Sequence, residues 1–342
     1  MRTARRTLQL CVVGGGTGTF SVLRGLKQAF ADARISAIVP VSDSGGSTGR
    51  LRDAFGVLPV GDARAALVAL ADEEGEPLLR ELFTHRFATG EGLAGHNLGN
   101  LLLLALTQRL GSEFAAIQSA GRILRVRGSV IPVSREKADL VARYRGGAVV
   151  RGEALISEPT ELPTGPIEAV WLEPEVQAAP EVVQAIEEAD AIIIGPGDLY
   201  TSLIANLLVR GIPEAILSSR GVFVAIGNLM TRRPETHAMS AAQHIREIAR
   251  YAGRVPDVVV QHAGALPKEA LALYAREEEF PVEDDLAELE KEDVRVVRAD
   301  VANVEIARPQ EGDAMRRSLI RHSPEKVAAV VRELLRGKGV VE

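Results

Sequence analysis

Glycines and hydroxyl residues are concentrated in a loop that directly follows an apolar run ending at Val13. Glycines let the backbone approach a phosphate closely, and a helix that begins in such a loop offers unpaired N–H groups and a positive dipole end. The loop matches G-x-G-x-x-G only in part, because Thr19 replaces the third glycine, and it lacks the Gly-Lys-Ser/Thr of a Walker A loop. We favour phosphate binding over a tight turn without a ligand. The candidate residues are Gly14, Gly15, Gly16, Thr17, Gly18 and Thr19.

A second loop of the same kind follows the apolar run that ends at Val41. Its only acid, Asp43, either contacts a ribose, holds a metal or forms an Asx-type turn. Arg50 and Arg52 follow, and they face either a diphosphate or solvent. The candidate residues of this loop are Asp43, Ser44, Gly45, Gly46, Ser47, Thr48 and Arg50.

Two further loops follow later apolar runs, after Ile194 and after Ile226. The first of them predicts an anion or ribose clamp, in which Asp198 also stands where a helix cap is common. The candidate residues of these loops are Gly195, Gly197, Asp198, Leu199, Thr201, Ser202, Asn228, Met230 and Thr231.

Three polar residues precede or open predicted helices. Asp62 is placed to cap the helix that begins near Ala63. Asn97 is placed to cap the helix that contains Leu101, and Asn100 lies in the first turn of that helix. His96 lies beside them, where a structural hydrogen bond is favoured over catalysis. No H-E-x-x-H or G-x-S-x-G motif occurs, so the sequence predicts binding residues without a catalytic group.

The apolar runs that precede these loops are short, β-branched and unbroken, which is typical of strands buried on both faces of a parallel sheet. Alternation with helical patterns predicts an α/β fold with a Rossmann-like, doubly wound, mostly parallel sheet. The loops then meet at the carboxyl edge of the sheet, where such folds bind ligands. Predicted strands are Leu8–Val13, Ile35–Val41, Ile192–Ile194, Val222–Ile226 and Val258–Gln261. Predicted helices are Phe20–Ala31, Ala63–Ala71, Leu98–Leu110 and Ser202–Arg210.

The rest of the chain predicts small additions to one domain that spans residues 1–342. Glycines and prolines break the stretch from about 130 to 171 into peripheral strands and hairpins. The stretch from about 268 to 293 is acidic and predicts a small helical excursion.

Composition excludes several classes of protein. A formal net charge of -6 and 4% aromatic residues argue against nucleic-acid binding. The single cysteine, Cys11, lies in an apolar run and predicts a buried core residue in a reducing cytoplasm. The longest aliphatic stretch, Leu101–Leu106, is too short to span a membrane.

In these loops and in several other segments, the chain resembles the YvcK-like gluconeogenesis factor family, within the CofD-like (2-phospho-L-lactate transferase) superfamily. The resemblance runs from about Leu10 to Leu335. It is carried by VVGGGTGTFSVLRGLK from Val12, VSDSGGSTGRLR from Val41, VGDARAAL from Val60, GHNLGNLLL from Gly95, GPGDLYTS from Gly195, GNLMT from Gly227 and RHSPEKVA from Arg321.

The resemblance implies a Rossmann-like fold that binds UDP-sugars, notably UDP-N-acetylglucosamine, with Tyr274 and Arg321 among the residues that hold the ligand. It further implies a cytoplasmic role in bacterial cell shape and in carbon flow toward cell-wall precursors. The transferase relatives carry an acidic metal-binding loop after the second strand. Here that loop has one acid, Asp43, which favours the regulatory branch.

Three functions stay open at this point. The first is a UDP-sugar-binding regulator without turnover, which requires no cofactor and acts on an enzyme of amino-sugar or cell-wall precursor synthesis. The second is a transferase, with Asp43, Asp62 or Asp198 holding Mg²⁺ or acting as a base. The third is a protein that binds NAD in the same crevice. We expect a homodimer in each case.

Overall fold

In the computed structural model of the chain, which describes residues 6–72, 77–303, 305, 306 and 318–340, seven strands form a wholly parallel sheet. Its order is β10-β9-β8-β7-β1-β2-β3, with strands numbered along the chain. Their bounds are β1 Gln9–Val13, β2 Arg34–Val39, β3 Ser129–Pro132, β7 Ala191–Ile194, β8 Val222–Ile226, β9 Val258–His262 and β10 Arg295–Ala299. The predicted doubly wound α/β fold is confirmed.

A second, antiparallel sheet has the order β5-β4-β6. Its strands are β4 Asp139–Tyr144, β5 Val149–Arg151 and β6 Ile167–Glu173. These strands are the peripheral addition that the broken pattern after residue 130 predicts. The stretch also contains β3, which pairs with β2 and belongs to the main sheet, so the addition begins only after Pro132.

Helices connect the strands. Before the small sheet they are α1 Gly16–Ala29, α2 Gly46–Phe55, α3 Gly61–Leu70, α4 Pro77–Thr84, α5 Leu98–Leu110 and α6 Glu113–Ile123. Within and after it they are α7 Glu153–Ser157, α8 Pro180–Glu187, a π-helix Leu199–Ile204, α9 Ala205–Leu207 and α10 Ile212–Ser218. The remaining helices are α11 Arg233–Thr236, α12 Ala241–Ala252, α13 Lys268–Arg276, α14 Ala287–Glu290 and α15 Pro324–Gly337.

Alternate residues of the central strand β1 face opposite layers. Leu10 and Val12 pack into a core with α1, α3 and α15, whereas Cys11 and Val13 face α8, α10, α12 and the small sheet. Strand side chains alternate between the two faces of a sheet, so both faces of β1 are apolar because both are covered. Cys11 is a buried core residue, as predicted. Burial raises the pKa of its thiol to about 12, so the thiol stays protonated.

Several helix starts differ from the predictions. Helix α3 begins at Gly61, so Asp62 lies in its first turn and the predicted cap is wrong. Asn97 does cap α5, because its side chain accepts the N–H of Asn100. The predicted helix Ser202–Arg210 begins earlier, as a π-helix at Leu199, and Asp198 stands at its N-terminus without a side-chain capping bond.

The acidic stretch from 268 to 293 does contain helices, α13 and α14. No helix in the described part of the chain is long and apolar enough to cross a membrane.

The close packing of α1 on α15 yields a test of stability. An added methyl group at Gly25 in α1 would overlap the backbone carbonyl of Pro324, at the start of α15. Such an overlap costs about 1–3 kcal/mol, and we expect Gly25→Ala to lower the free energy of unfolding measured by denaturant titration.

Gly121→Ala is the matched control, because Gly121 lies in α6 and its added methyl group would make an ordinary 3.5 Å contact with Leu67. The gain in helix propensity there is about 0.5–1 kcal/mol, so this variant should be as stable as the parent or more so. Equal stability of both variants would contradict the packing.

Candidate functional site

A cavity of about 220 Å³ opens at the carboxyl edge of the parallel sheet. The loops after β1, β2, β7 and β8 converge on it, as expected of parallel strands. The predicted site residues that line it are Gly15, Gly16, Thr17, Gly18, Gly45, Gly46, Gly197, Asp198, Ser202, Asn228, Met230, Thr231, Tyr274 and Arg321.

The other predicted site residues do not line this cavity. They lie behind its wall or beside it. They are Gly14, Thr19, Asp43, Ser44, Ser47, Thr48, Arg50, Asp62, Asn97, Asn100, Gly195, Leu199 and Thr201.

Two carboxylates hold the first two glycine-rich loops. Asp62 Oδ1 accepts the N–H of Gly16 at 2.8 Å, and Asp43 Oδ1 accepts the N–H of Gly45 at 2.9 Å. The bond within the second loop is an Asx-type turn, which is one of the roles predicted for Asp43. These loops therefore have their shape before any ligand arrives.

Glycine is required where the loops touch each other. A methyl group at Gly15 would lie 2.5 Å from Asp62 Oδ2, and one at Gly18 would overlap the carbonyl of Pro196 in the loop after β7. The loops after β1 and β7 therefore approach more closely than a side chain permits. This contact fixes one wall of the cavity.

A polar network behind the second loop contains His96. Its Nδ1 lies 3.1 Å from Ser47 Oγ, which also accepts bonds from the backbone of Asn97 and the side chain of Asn100. Burial and the nearby Arg50 and Arg86 lower the pKa of His96. A neutral imidazole in such a network orients α2 and α5, and it stands outside the cavity wall.

The two arginines after the second loop point away from the cavity. The Arg50 guanidinium donates to the carbonyl of Ala94, and Arg52 forms an ion pair with Asp139 at 3.0 Å. The idea that these arginines face a diphosphate thus finds no support in their contacts.

Asn228 holds the loop after β7 by a reciprocal pair of hydrogen bonds. Its Oδ1 accepts the N–H of Gly197 at 3.3 Å, and its Nδ2 donates to the Gly197 carbonyl at 2.9 Å. An amide side chain is suited to this role because it carries a donor and an acceptor side by side.

The C-terminal segment before α15 closes another side of the cavity. The Tyr274 hydroxyl accepts the N–H groups of Leu319 and Ile320, at 2.8 and 3.3 Å. His322 Nε2 donates to the Gly227 carbonyl at 3.1 Å, and burial lowers the pKa of His322 to about 4. Arg321 is thereby placed beside the loop after β8.

Sequence reasoning missed Glu235, a buried carboxylate in α11. It accepts the N–H groups of Tyr200 and Thr201, the Thr201 hydroxyl at 2.9 Å and the Ser157 hydroxyl at 3.3 Å. Burial, followed by the nearby Asp198, raises its pKa to about 7. Glu235 thus joins α7, the π-helix and α11, and its short helix gives no periodic signal that would have revealed it.

Glu153 was missed as well, because it lies in the peripheral stretch between β5 and β6. Its carboxyl group accepts the Ser44 N–H at 3.3 Å, lies 3.1 Å from Ser157 Oγ and lines the cavity. Burial, then the charges of Asp43 and Asp62, raise its pKa to about 8. The connection between β5 and β6 therefore contributes directly to the site.

The polar groups of the wall indicate which ligands suit the cavity. Throughout the described residues, no three His, Cys, Asp or Glu side chains are grouped so that they could hold a metal ion. The cavity offers backbone donors, hydroxyls, carboxylates and guanidinium groups, which suit a ligand with phosphates and hydroxyls.

Parallel topology, glycine-rich loops and a cavity at the carboxyl edge define a doubly wound α/β protein of the kind that binds ligands at that edge. A sequence model of the family described as 2-phospho-L-lactate transferase CofD matches residues 10–302. The chain is also 38% identical to the gluconeogenesis factor of Bacillus subtilis, over 96% of this chain and 98% of that protein.

Two further comparisons agree. The gluconeogenesis factor of Listeria innocua is 37% identical, over 96% of both chains. A crystal structure of a UPF0052 family member from Bacillus halodurans superposes with a TM-score of 0.85 at 37% identity, covering 96% of this chain and all of that one. The chain therefore belongs to the CofD family, and within it to the YvcK-like gluconeogenesis factors.

The raised pKa of Glu153 predicts a pH-dependent stability. Between its ordinary pKa of 4.5 and its folded pKa of about 8, the folded protein keeps a proton that the unfolded chain has released. Stability contributed by this group is therefore lost as pH rises through that window, at up to about 1.4 kcal/mol per pH unit.

We expect Glu153→Gln to remove this dependence, so that the parent loses about 1–3 kcal/mol relative to the variant between pH 5.5 and 7.5. Denaturant titration at several pH values measures it. Glu187→Gln, on the exposed end of α8, is the control and should follow the parent. Parallel curves for the parent and Glu153→Gln would refute the assignment.

Proposed function

We propose that this protein binds UDP-N-acetylglucosamine in the cavity and acts as a regulator of carbon flow into cell-wall precursors, without converting its ligand. The observation that carries the proposal is the cavity itself, where three glycine-rich loops meet the segment that contains Arg321. Relatives of the same length are named gluconeogenesis factor, which supports a role in carbon flow.

The cavity walls support a nucleotide sugar as the ligand. Helix α1 begins at Gly16 within the wall. The Gly16 N–H donates to Asp62, but the other N–H groups of the first turn lack partners inside the helix and can take a phosphate. Asp198, Ser202 and Thr231 add carboxylate and hydroxyl groups that pair with ribose or sugar hydroxyls.

Regulation by the ligand would depend on the fact that the cavity walls come from distant parts of the chain. A ligand that contacts both the loop after β1 and the segment at Arg321 binds best when the two are held together. It shifts the population toward that arrangement by its difference in affinity for the two states. We propose that an enzyme of amino-sugar or cell-wall precursor synthesis reads the resulting surface.

A transferase remains the second candidate, because the family description names one. In that case Asp43 or Asp62, which lie behind the first two loops, would assist a Mg²⁺ ion brought by the substrate. Mg²⁺ is commonly bound by one or two protein carboxylates together with substrate phosphates, so replacement of Asp43 tests this candidate.

Isothermal titration with UDP-N-acetylglucosamine, GDP and NAD, each with and without Mg²⁺, tests the proposal. We expect the UDP-sugar to bind without a metal requirement and to be recovered unchanged by chromatography. Metal-dependent conversion that Asp43→Asn abolishes, with binding retained, would establish the transferase instead. Preferred binding of NAD or GDP would exclude a UDP-sugar sensor.

Tyr274→Phe gives a sharper test of the C-terminal wall. Loss of the hydroxyl leaves the N–H groups of Leu319 and Ile320 without their acceptor, so the segment that contains Arg321 loses its anchor. An unpaired buried donor costs about 1–3 kcal/mol, and we expect UDP-N-acetylglucosamine to bind about tenfold more weakly or worse.

Tyr251→Phe is the matched control. The Tyr251 hydroxyl accepts the Val170 N–H at 3.2 Å, in the small sheet, and does not line the cavity. This variant should lose comparable stability and keep the parental affinity. If both variants bind like the parent, the anchored C-terminal segment plays no part in binding.

A further inference from the structure

Arg232 is the most buried cation of the cavity wall. It follows the loop after β8, immediately before α11, and its side chain is 17% exposed. Its nearest carboxylate oxygens are Glu158 Oε1, 3.6 Å from Nη2, and Asp198 Oδ1, 3.9 Å from Nε. Both distances exceed a normal hydrogen bond.

The guanidinium is charged but incompletely bonded. Its Nε–H is buried and has no hydrogen-bond partner among the described residues. Burial lowers the pKa of Arg232, but Asp198, Glu235, Glu279 and Glu158 more than offset this and raise it above its ordinary value. Buried donors are normally satisfied, so an unused N–H at a cavity wall marks a place for an acceptor from outside the chain.

The charge of the cavity wall makes this cation necessary for an anionic ligand. Its described lining contains the carboxylates Glu158, Asp198 and Glu279, and the carboxyl group of Glu153 with its raised pKa, against the guanidinium groups of Arg232 and Arg321. Without Arg232 the wall would repel a phosphate.

The backbone N–H groups of the glycine-rich loops cannot alone compensate the negative charge of a bound diphosphate. The N–H groups of Gly16, Gly45 and Ser44 already donate to Asp62, Asp43 and Glu153. A diphosphate therefore finds fewer free backbone donors here than the loop sequences suggest, and it needs a charged donor. A guanidinium binds phosphate oxygens in a planar, two-pronged geometry.

We propose that Arg232 binds the diphosphate of the nucleotide ligand and gives this negatively charged cavity its affinity for anions. The inference rests on the proposed function, since it assigns a phosphate-binding residue to the same cavity. The binding residues predicted from the sequence end at Thr231 in this loop and do not include Arg232.

Titration of Arg232→Gln and Arg232→Lys tests the assignment, with UDP-N-acetylglucosamine, UDP, inorganic pyrophosphate and uridine as probes. Loss of a charge-assisted bond predicts about 10–100-fold weaker binding of the three phosphate-bearing probes to Arg232→Gln. We expect a smaller loss for Arg232→Lys, which keeps the charge, and an unchanged affinity for uridine, which has no phosphate.

Arg233→Gln is the matched control. Arg233 is adjacent, 42% exposed and paired with Glu278 at 2.7 Å, and it does not line the cavity. Its loss should change each affinity less than about twofold, which corresponds to a surface ion pair. Thermal unfolding without ligand checks that each variant is folded.

The possible outcomes separate this inference from the proposed function. Parental affinity of Arg232→Gln for UDP and pyrophosphate would overturn the role of Arg232, as would an equal loss for uridine, which would indicate a structural effect. If the parent binds UDP and pyrophosphate through Arg232 but does not prefer the UDP-sugar, the regulator proposal fails and the phosphate site stands. A parent that binds no phosphate-bearing probe contradicts both.

Discussion

The site depends on hydrogen bonds between carboxylates and loop backbone. Asp62 accepts from Gly16, Asp43 from Gly45 and Glu153 from Ser44, so loops that contain mostly glycine have a defined shape. Glycine-rich segments lose the most backbone entropy on ordering, and a charged acceptor such as Asp62 or Asp43 makes the stronger kind of hydrogen bond that offsets this loss. The close contact between Gly18 and Pro196 leaves no room for a side chain at position 18.

The same bonds determine the electrostatics of the cavity. Burial and the charges of Asp43 and Asp62 raise the pKa of Glu153, since both disfavour its ionised form. Other carboxylates, those of Glu158, Asp198 and Glu279, leave the wall rich in negative charge, which a nucleotide diphosphate would meet on entry. The architecture thus requires compensating cations, and the arginines of the wall come from the loop after β8 and from the segment before α15.

Much of the fold could be predicted from the sequence, because strands buried on both faces produce unbroken apolar runs such as Leu8–Val13. The loops that follow those runs could be placed at one edge for the same reason. The side chains that face the cavity could not be predicted from the sequence, because their direction depends on packing between distant segments. Glu153 lies in the peripheral stretch and Glu235 in a four-residue helix, and neither stands in a pattern that local periodicity reveals.

Arg50 and Arg232 show most clearly why the sequence does not predict which side chains enter the cavity. Each follows a loop with glycine or hydroxyl residues, and each is followed closely by a second arginine, Arg52 two positions after Arg50 and Arg233 directly after Arg232. Arg50 turns outward to the Ala94 carbonyl, whereas Arg232 is drawn into the cavity by the carboxylates of Glu158 and Asp198. Those carboxylates come from α7 and from the start of the π-helix, tens of residues earlier in the chain. The direction of an arginine side chain is therefore set by partners that only the folded chain brings together, and the phosphate-binding capacity of this cavity is a property of its tertiary structure more than of its glycine-rich loops.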